Sequence, residues 1–517
     1  MSRKKKKKVI HKPRLDDTDN RYLAILFIIV IAIVPLLLRV KMISFTAPRI
    51  IAPLLNSGWQ SDIFSYYKML AVIAIAVITL VLLSYKMMAE GYTIQASYLN
   101  VPLLLLAMLV LLSTLTSEYK SISLLGMYNL RDGALSFIAY LVLCFTAANT
   151  VFKPWFRWGV TGALLIFTIV NTVTVLGHFL GYEIMQWGLI KTLIIPVDLQ
   201  NFVQGEMVTT MANPNYSSGF AAALFAYYIA GTQLINSWRQ RIVYMLAALA
   251  AFVIILASLS SSGFVTVVII SPLIIATAFL SRDKKQTLLA GGITLLLCVG
   301  IFTGMNAYNP RVGEETLGIM KQGVETSYEQ LPEQIPALAR ILPARPLTAC
   351  AATETIPPED NFELPEPGWA AGSGRAYIWG ETWRLIQERP ILGYGQGTLP
   401  YYIPQNDINK ITGLNSYSTL ISKPHNMYLG MAYGSGIPAM VVLLVLFMLH
   451  FYHSGRRLLR AERNDSLVLP AALFLFFCAF IVQWLFNDTV VDAGAIFWIL
   501  LGAGVSLNTK QGQLPTS

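Results

Sequence analysis

A histidine stands directly before an apolar run in Lys423-Pro424-His425-Asn426. At a helix N-terminus the dipole disfavours a second positive charge, which keeps imidazole neutral near pH 7. Neutral imidazole can take a proton from an attacking hydroxyl, although a lone histidine also serves as a cap or packing residue. Upstream, Gly372-Ser373-Gly374-Arg375-Ala376-Tyr377-Ile378-Trp379 continues through Trp383 to Arg389-Pro390. With Ser373 as N-cap and Pro390 as stop, this stretch reads as one helix on which Arg375, Trp379, Trp383 and Ile386 recur at helical spacing. Arg375 then sits where a cation opposes the dipole. It is either a solvated or paired arginine or an anion ligand, because guanidinium donors match phosphate oxygens. Arg384, Arg389 and Lys423 add positive charge nearby. Between the two motifs, Pro390 to Gly397 carries glycines at alternate positions, which permit close backbone approach to a ligand or simply form a turn.

Weaker signals precede these. Asn213-Pro214-Asn215 and Ser260-Ser261-Ser262-Gly263 each open an apolar run and read as ligand groups or plain helix caps. Arg131-Asp132-Gly133 and the pair Asp488/Asp492 are accounted for by local ion pairs or caps. Gly430 and Gly434 form a pair of small residues suited to tight helix packing.

The elements that must hold these residues are membrane helices. Of 517 residues 55% are hydrophobic and 13% charged, about half the charge of a soluble domain, which excludes a soluble enzyme. The net charge of +10 gathers in the Lys4 to Lys8 run and in short clusters between apolar stretches, a pattern of membrane orientation rather than of nucleic-acid binding. Three of the four cysteines, Cys144, Cys298 and Cys478, lie in apolar stretches and Cys350 in a polar one; no zinc or redox spacing exists. Apolar runs at 22–38, 67–85, 101–115, 133–150, 158–180, 216–234, 242–259, 263–280, 288–303, 426–451, 467–485 and 490–507 predict about twelve transmembrane helices.

With the N-terminus inside, the short loops around Lys86, Lys153/Arg157, Arg239/Arg241, Arg282/Lys284/Lys285 and Arg456 to Arg463 are cytoplasmic and basic, as the positive-inside rule requires. Both termini are then cytoplasmic, and His425, Arg375 and Asn213 face outward. The expected plan is an all-α, polytopic integral membrane protein. It runs as a basic tail (1–21), nine helices (22–304), one large extracytoplasmic loop domain (305–425) with a proline-rich portion at 342–367, three helices (426–507) and a short tail (508–517).

The order of motifs resembles the O-antigen ligase and polymerase superfamily of multi-span, GT-C-like proteins. Arg375 with Trp379, Pro390 through Gly397, and His425-Asn426 follow one another as in that family, and Asn213-Pro214-Asn215 looks like its earlier Asn motif. The resemblance runs from the sixth span onward. It implies glycan transfer from an undecaprenyl-diphosphate carrier to a glycan, lipid, protein or wall-polymer acceptor, at the outer face of the cytoplasmic membrane, with no metal and no cofactor. His425 would deprotonate the acceptor, and Arg375 would face the diphosphate with help from Lys423, Arg384 or Arg389. The chain departs from the family at Ser261-Ser262-Gly263, where members commonly carry Ser-Arg-Gly. Amides at the N-terminus of the following helix, or Arg131, are the substitutes the resemblance leaves. A ligase is preferred to a repeat-unit polymerase because the segment 181–215 holds only Lys191 as a cation. A lipid-linked oligosaccharide flippase or exporter is a third reading, which the scarcity of charges within the spans opposes.

Overall fold

The computed structural model describes residues 20–45, 58–203, 207–318, 375–405, 410 and 420–509. The proline-rich stretch 342–367, Cys350 and Ser373 lie outside them. In chain order the main elements are α1 (Arg21–Ile33), the antiparallel hairpin β1 (Lys41–Phe45) and β2 (Gly58–Asp62), α2 (Tyr66–Ala89), α3 (Asn100–Thr116) and α4 (Lys120–Leu125). Then come α5 (Ala134–Ala148), α6 (Trp155–Phe179), α7 (Gly188–Ile194), α8 (Pro214–Leu234), α9 (Trp238–Ala257), α10 (Ser261–Ala278) and α11 (Lys284–Tyr308). Within the 305–425 segment comes α12 (Arg375–Glu388), and after it follow α13 (Met427–Ser435), α14 (Ile437–Arg460), α15 (Val468–Gln483) and α16 (Val491–Asn508).

Each apolar run of the sequence except 426–451 coincides with one helix. Among the described residues eight helices are long and apolar enough to cross a membrane, and Arg21–Leu36, Asn100–Thr116 and Ala134–Ala148 are shorter apolar helices. The chain is therefore a polytopic, mostly helical membrane protein. α8, α15 and α16 are buried almost all round, as fits helices with apolar residues on every face. They form the centre, with α5, α9 and α10 packed on them. α3 and α11 expose long rows of leucines at the periphery. Cys144, Cys298 and Cys478 are free and buried.

Two features differ from the sequence expectation. The run 426–451 is broken: Gly436 at φ 88° separates α13 from α14, because an L-residue with a side chain resists that backbone conformation. The segment between α1 and α2 also holds a β-hairpin, whose polar Gly58–Asp62 strand gave no period-2 apolar signal.

Hydrogen bonds that tie connections together lie at the two ends of the bundle. At one end Lys86 donates to Asn20 Oδ1 at 3.1 Å, Arg157 to the Asp465 carbonyl at 2.9 Å, and Tyr98 pairs with His450 Nδ1 at 3.0 Å. At the other, Val40 donates to the Ile194 carbonyl at 3.0 Å and Ile63 to Asn129 Oδ1 at 3.1 Å. His425 belongs to this second end.

Candidate active site

The site is built on the start of α13. Asn426 caps it, its Oδ1 accepting from the amides of Tyr428 at 3.0 Å and Leu429 at 3.1 Å. Asn426 Nδ2 also donates to the Leu485 carbonyl, and the Met427 amide to that of Trp484, so the helix start is fastened to the turn between α15 and α16. That turn carries Asp488. Its Oδ2 accepts the His425 amide at 2.9 Å and lies 3.4 Å from His425 Nδ1. His425 adopts φ 52°, a left-handed conformation that costs a non-glycine residue about 1–2 kcal/mol. The Asp488 bond holds it there, and strain of this kind concentrates at functional sites.

A carboxylate beside Nδ1 favours the tautomer with its proton on that nitrogen, leaving Nε2 as the acceptor. The imidazole is 36 % exposed, so another molecule can reach it. Burial nevertheless pushes its pKa below the ordinary value; Asp488 opposes that shift, and Arg375 and Lys423 reinforce it. Asp488 itself is pushed up by burial, against the pull of His425 and Lys423.

Two cations flank this pair. Arg375 is the first residue of α12, and among the described residues it forms no ion pair; its electrostatic partners are Asp488 and Tyr216. Burial lowers its pKa, which means that the guanidinium sits in a poorly hydrated place where an anion would be attracted strongly. One turn along, Trp379 Nε1 donates to the Pro424 carbonyl at 2.8 Å and clamps α12 onto the His425 loop. Lys423 is buried, 2.9 Å from Asp132 Oδ2 and donating to the Thr489 carbonyl at 2.8 Å. Burial alone would depress the ammonium, but Asp132, Tyr216 and Asp488 more than offset it and hold Lys423 charged.

Ser262, in the first turn of α10, receives weak hydrogen bonds of 3.4 Å from Gln483 Nε2 and Asn487 Nδ2. Asn487 also donates to the Asn215 carbonyl at 3.2 Å, so Ser262 and Asn215 reach the site through the neighbour of Asp488. Asn213 caps α8 by accepting from the Asn215 amide at 2.8 Å.

The remaining candidates are engaged locally. Arg131 binds Asp62 Oδ2 at 3.1 Å and lies over the Tyr66 ring, so it braces the hairpin. Arg384 bridges Glu381 and Glu388 on α12, and Arg389 stacks over Tyr394 at 4.5 Å. The alternating glycines serve the turn. The amides of Tyr394 and Gly395 donate to the Tyr433 and Gly434 carbonyls, both at 2.9 Å, laying the Pro390–Gly397 segment against α13. Gly393 has φ 65°, and a Cβ there would strike the Tyr433 carbonyl.

Sequence reasoning underweighted Asp488 and Asp132, which it assigned to local ion pairs or caps, and passed over Asn487 and Tyr216. The available signal was that Asn487 and Asp488 stand in a short connection between two apolar runs at the end where the basic residues are few. Among the described residues no three His, Cys, Asp or Glu side chains converge on one point. Chemically, the arrangement offers a proton acceptor at His425 Nε2 with a guanidinium beside it.

Comparison with curated proteins returned no match. A family model described as O-antigen ligase matches residues 246–444, from within α9 through the large loop into α14, and so includes Arg375, Lys423 and His425. Over those residues the chain is similar to O-antigen ligases, which supports the resemblance drawn from its motifs.

Proposed function

We propose that the protein is a glycan ligase or transferase-type enzyme of polysaccharide biosynthesis, a reading supported by the match to the O-antigen ligase family model, and that it transfers a glycan from an undecaprenyl-diphosphate carrier to an acceptor at the outer face of the cytoplasmic membrane. The observation that carries this is the pairing of His425 with the Asp488 carboxylate, 3.4 Å from Nδ1, within electrostatic reach of the Arg375 guanidinium.

In the reaction the acceptor hydroxyl oxygen attacks the anomeric carbon of the donor sugar, and the bond from that carbon to the diphosphate oxygen breaks. His425 Nε2 takes the hydroxyl proton. Undecaprenyl diphosphate leaves with the bonding pair, and its growing charge falls beside Arg375, with Lys423 charged behind it. These guanidinium and ammonium groups supply the charge stabilisation, so the reading calls for no metal ion. Asp488 keeps the acceptor nitrogen of His425 turned outward and stabilises the imidazolium that forms.

The site's depth follows from twelve crossings with both termini cytoplasmic. The basic connections near Lys86, Arg157, Arg241 and Arg456 all lie at the end opposite His425, which supports that orientation. With Cys350 replaced by alanine, a membrane-impermeant thiol reagent should label Ala376→Cys in intact cells and leave Lys284→Cys unlabelled; the reverse pattern overturns the orientation.

The activity is tested in a deletion strain complemented with wild type, His425→Ala or Arg375→Ala, with expression of each checked. Full-length polymer stranded on its lipid carrier in both variants is the expected result and identifies a ligase. Accumulation of single repeat units would identify a polymerase instead, and normal surface glycan in both variants would remove the catalytic assignment.

A further inference from the structure

The connection between α6 and α8 exposes more apolar surface than a loop in water sustains. Between residues 182 and 202, Tyr182, Trp187, Leu189, Leu193, Val197 and Phe202 all point outward, with exposures from 55 % at Trp187 to 78 % at Leu189. The segment is ordered by its other side. Met185, Ile194 and Ile195 pack with Val40 and Ile63 of the hairpin region in a small core of their own. Arg39 Nη1 donates to the Leu193 carbonyl at 2.7 Å and Val40 to that of Ile194 at 3.0 Å. The outward residues are thus held in place with nothing from the described chain over them.

What covers them follows from the helix that leads in. On α6, Ile166, Ile169 and Val173 form an exposed apolar stripe at helical spacing, the lipid-facing side of a membrane helix. That stripe continues through Leu180 into Tyr182 and Trp187. Tyrosine and tryptophan at such a junction are the residue types that settle at the headgroup level. The sparse polar residues of the segment, Glu183, Lys191 and Asp198 among them, suit a region that is half wet.

We propose that residues 182–202 form a lip lying in the lipid interface at the His425 end of the bundle, with Trp187, Leu189, Leu193, Val197 and Phe202 immersed at the headgroup–acyl boundary. The lip grips the hairpin, and the hairpin's Asp62 holds Arg131, next to the Asp132 that pairs with Lys423. The bilayer surface therefore sets the depth of the site. The inference concerns lipid contact and does not rest on the transfer reading.

The test uses the full chain in nanodiscs, with spin labels placed singly at Leu189→Cys, Leu193→Cys and, as a control, Glu388→Cys, after Cys144, Cys298, Cys350 and Cys478 are replaced by alanine. At 189 and 193 relaxation should respond to oxygen and be shielded from a water-soluble nickel chelate, with the opposite at 388. Access of the chelate to 189 and 193 would mean a water-facing segment, and shielding from both reagents would mean a protein cover; either overturns the proposal. A second measurement needs no cysteine replacement. Brominated-chain lipids should quench less of the total tryptophan emission in Trp187→Phe than in wild type, and equal fractional quenching would overturn the lip.

Discussion

At His425 two effects pull in opposite directions. Burial, Arg375 and Lys423 favour neutral imidazole, Asp488 favours imidazolium, and the outcome lies below the ordinary histidine pKa. A general base works only in its neutral form, so activity should persist below the usual imidazole range and fall as pH drops through the lowered value. Asp488→Asn removes the one group that raises that pKa. The acid limb of the rate profile should therefore move to lower pH, while the maximal rate falls because the tautomer is no longer fixed. Arg375→Gln removes a cation and should move the same limb to higher pH. Rates of purified protein on a lipid-linked donor across pH check both signs; an unmoved limb in each variant would show that another group titrates. Loss of the base itself in His425→Ala should cost about 10²–10⁴-fold in rate.

Among the elements, α13 organises the site through backbone contacts, which makes its glycine neighbours sensitive. Gly393 sits at φ 65° with the Tyr433 carbonyl where a Cβ would be. Gly393→Ala should cost about 1–2 kcal/mol from the left-handed conformation alone, and more from the clash. Gly162, inside α6, has nothing near its Cβ direction, so the same substitution there should stabilise by up to about 1 kcal/mol. Thermal midpoints of the two variants in one detergent should move in opposite directions. Asn426→Ala removes a cap that serves two amides and should lower stability by about 1 kcal/mol.

At the scale of the whole molecule, Lys68 at the start of α2 lies 2.6 Å from Asp492 at the start of α16, with both side chains almost fully buried. Lys68 also donates to the Thr210 carbonyl at 2.6 Å, so one ammonium joins α2, α16 and the approach to α8. Removing one member leaves a buried charge without its partner. Lys68→Met should destabilise by about 3–5 kcal/mol, and Lys68→Met/Asp492→Leu should recover most of that loss. Thermal unfolding of the single and double variants decides between this and an additive loss.

The sequence by itself determined the class of protein, where the helices lie, and which ends of them carry His425 and Arg375. These follow from local quantities: runs of apolar residues long enough to span hydrocarbon, basic loops, and residue types beside helix starts. The break at Gly436 was not legible, because a glycine within an apolar run costs little and only the docking of Pro390–Gly397 against α13 requires a positive φ there. The choice among the cations was not legible either. Arg131, Arg375, Arg384 and Lys423 look alike along the chain, and each becomes a brace, a candidate ligand, a helix-surface pair or a buried partner of Asp132 according to the carboxylate that lands beside it. Asp488 stands far from His425 in sequence, and it is the packing of the α15–α16 turn on the start of α13 that brings the two together. Electrostatic partnership between distant segments is set by tertiary contact, which is why only the folded structure assigns those roles.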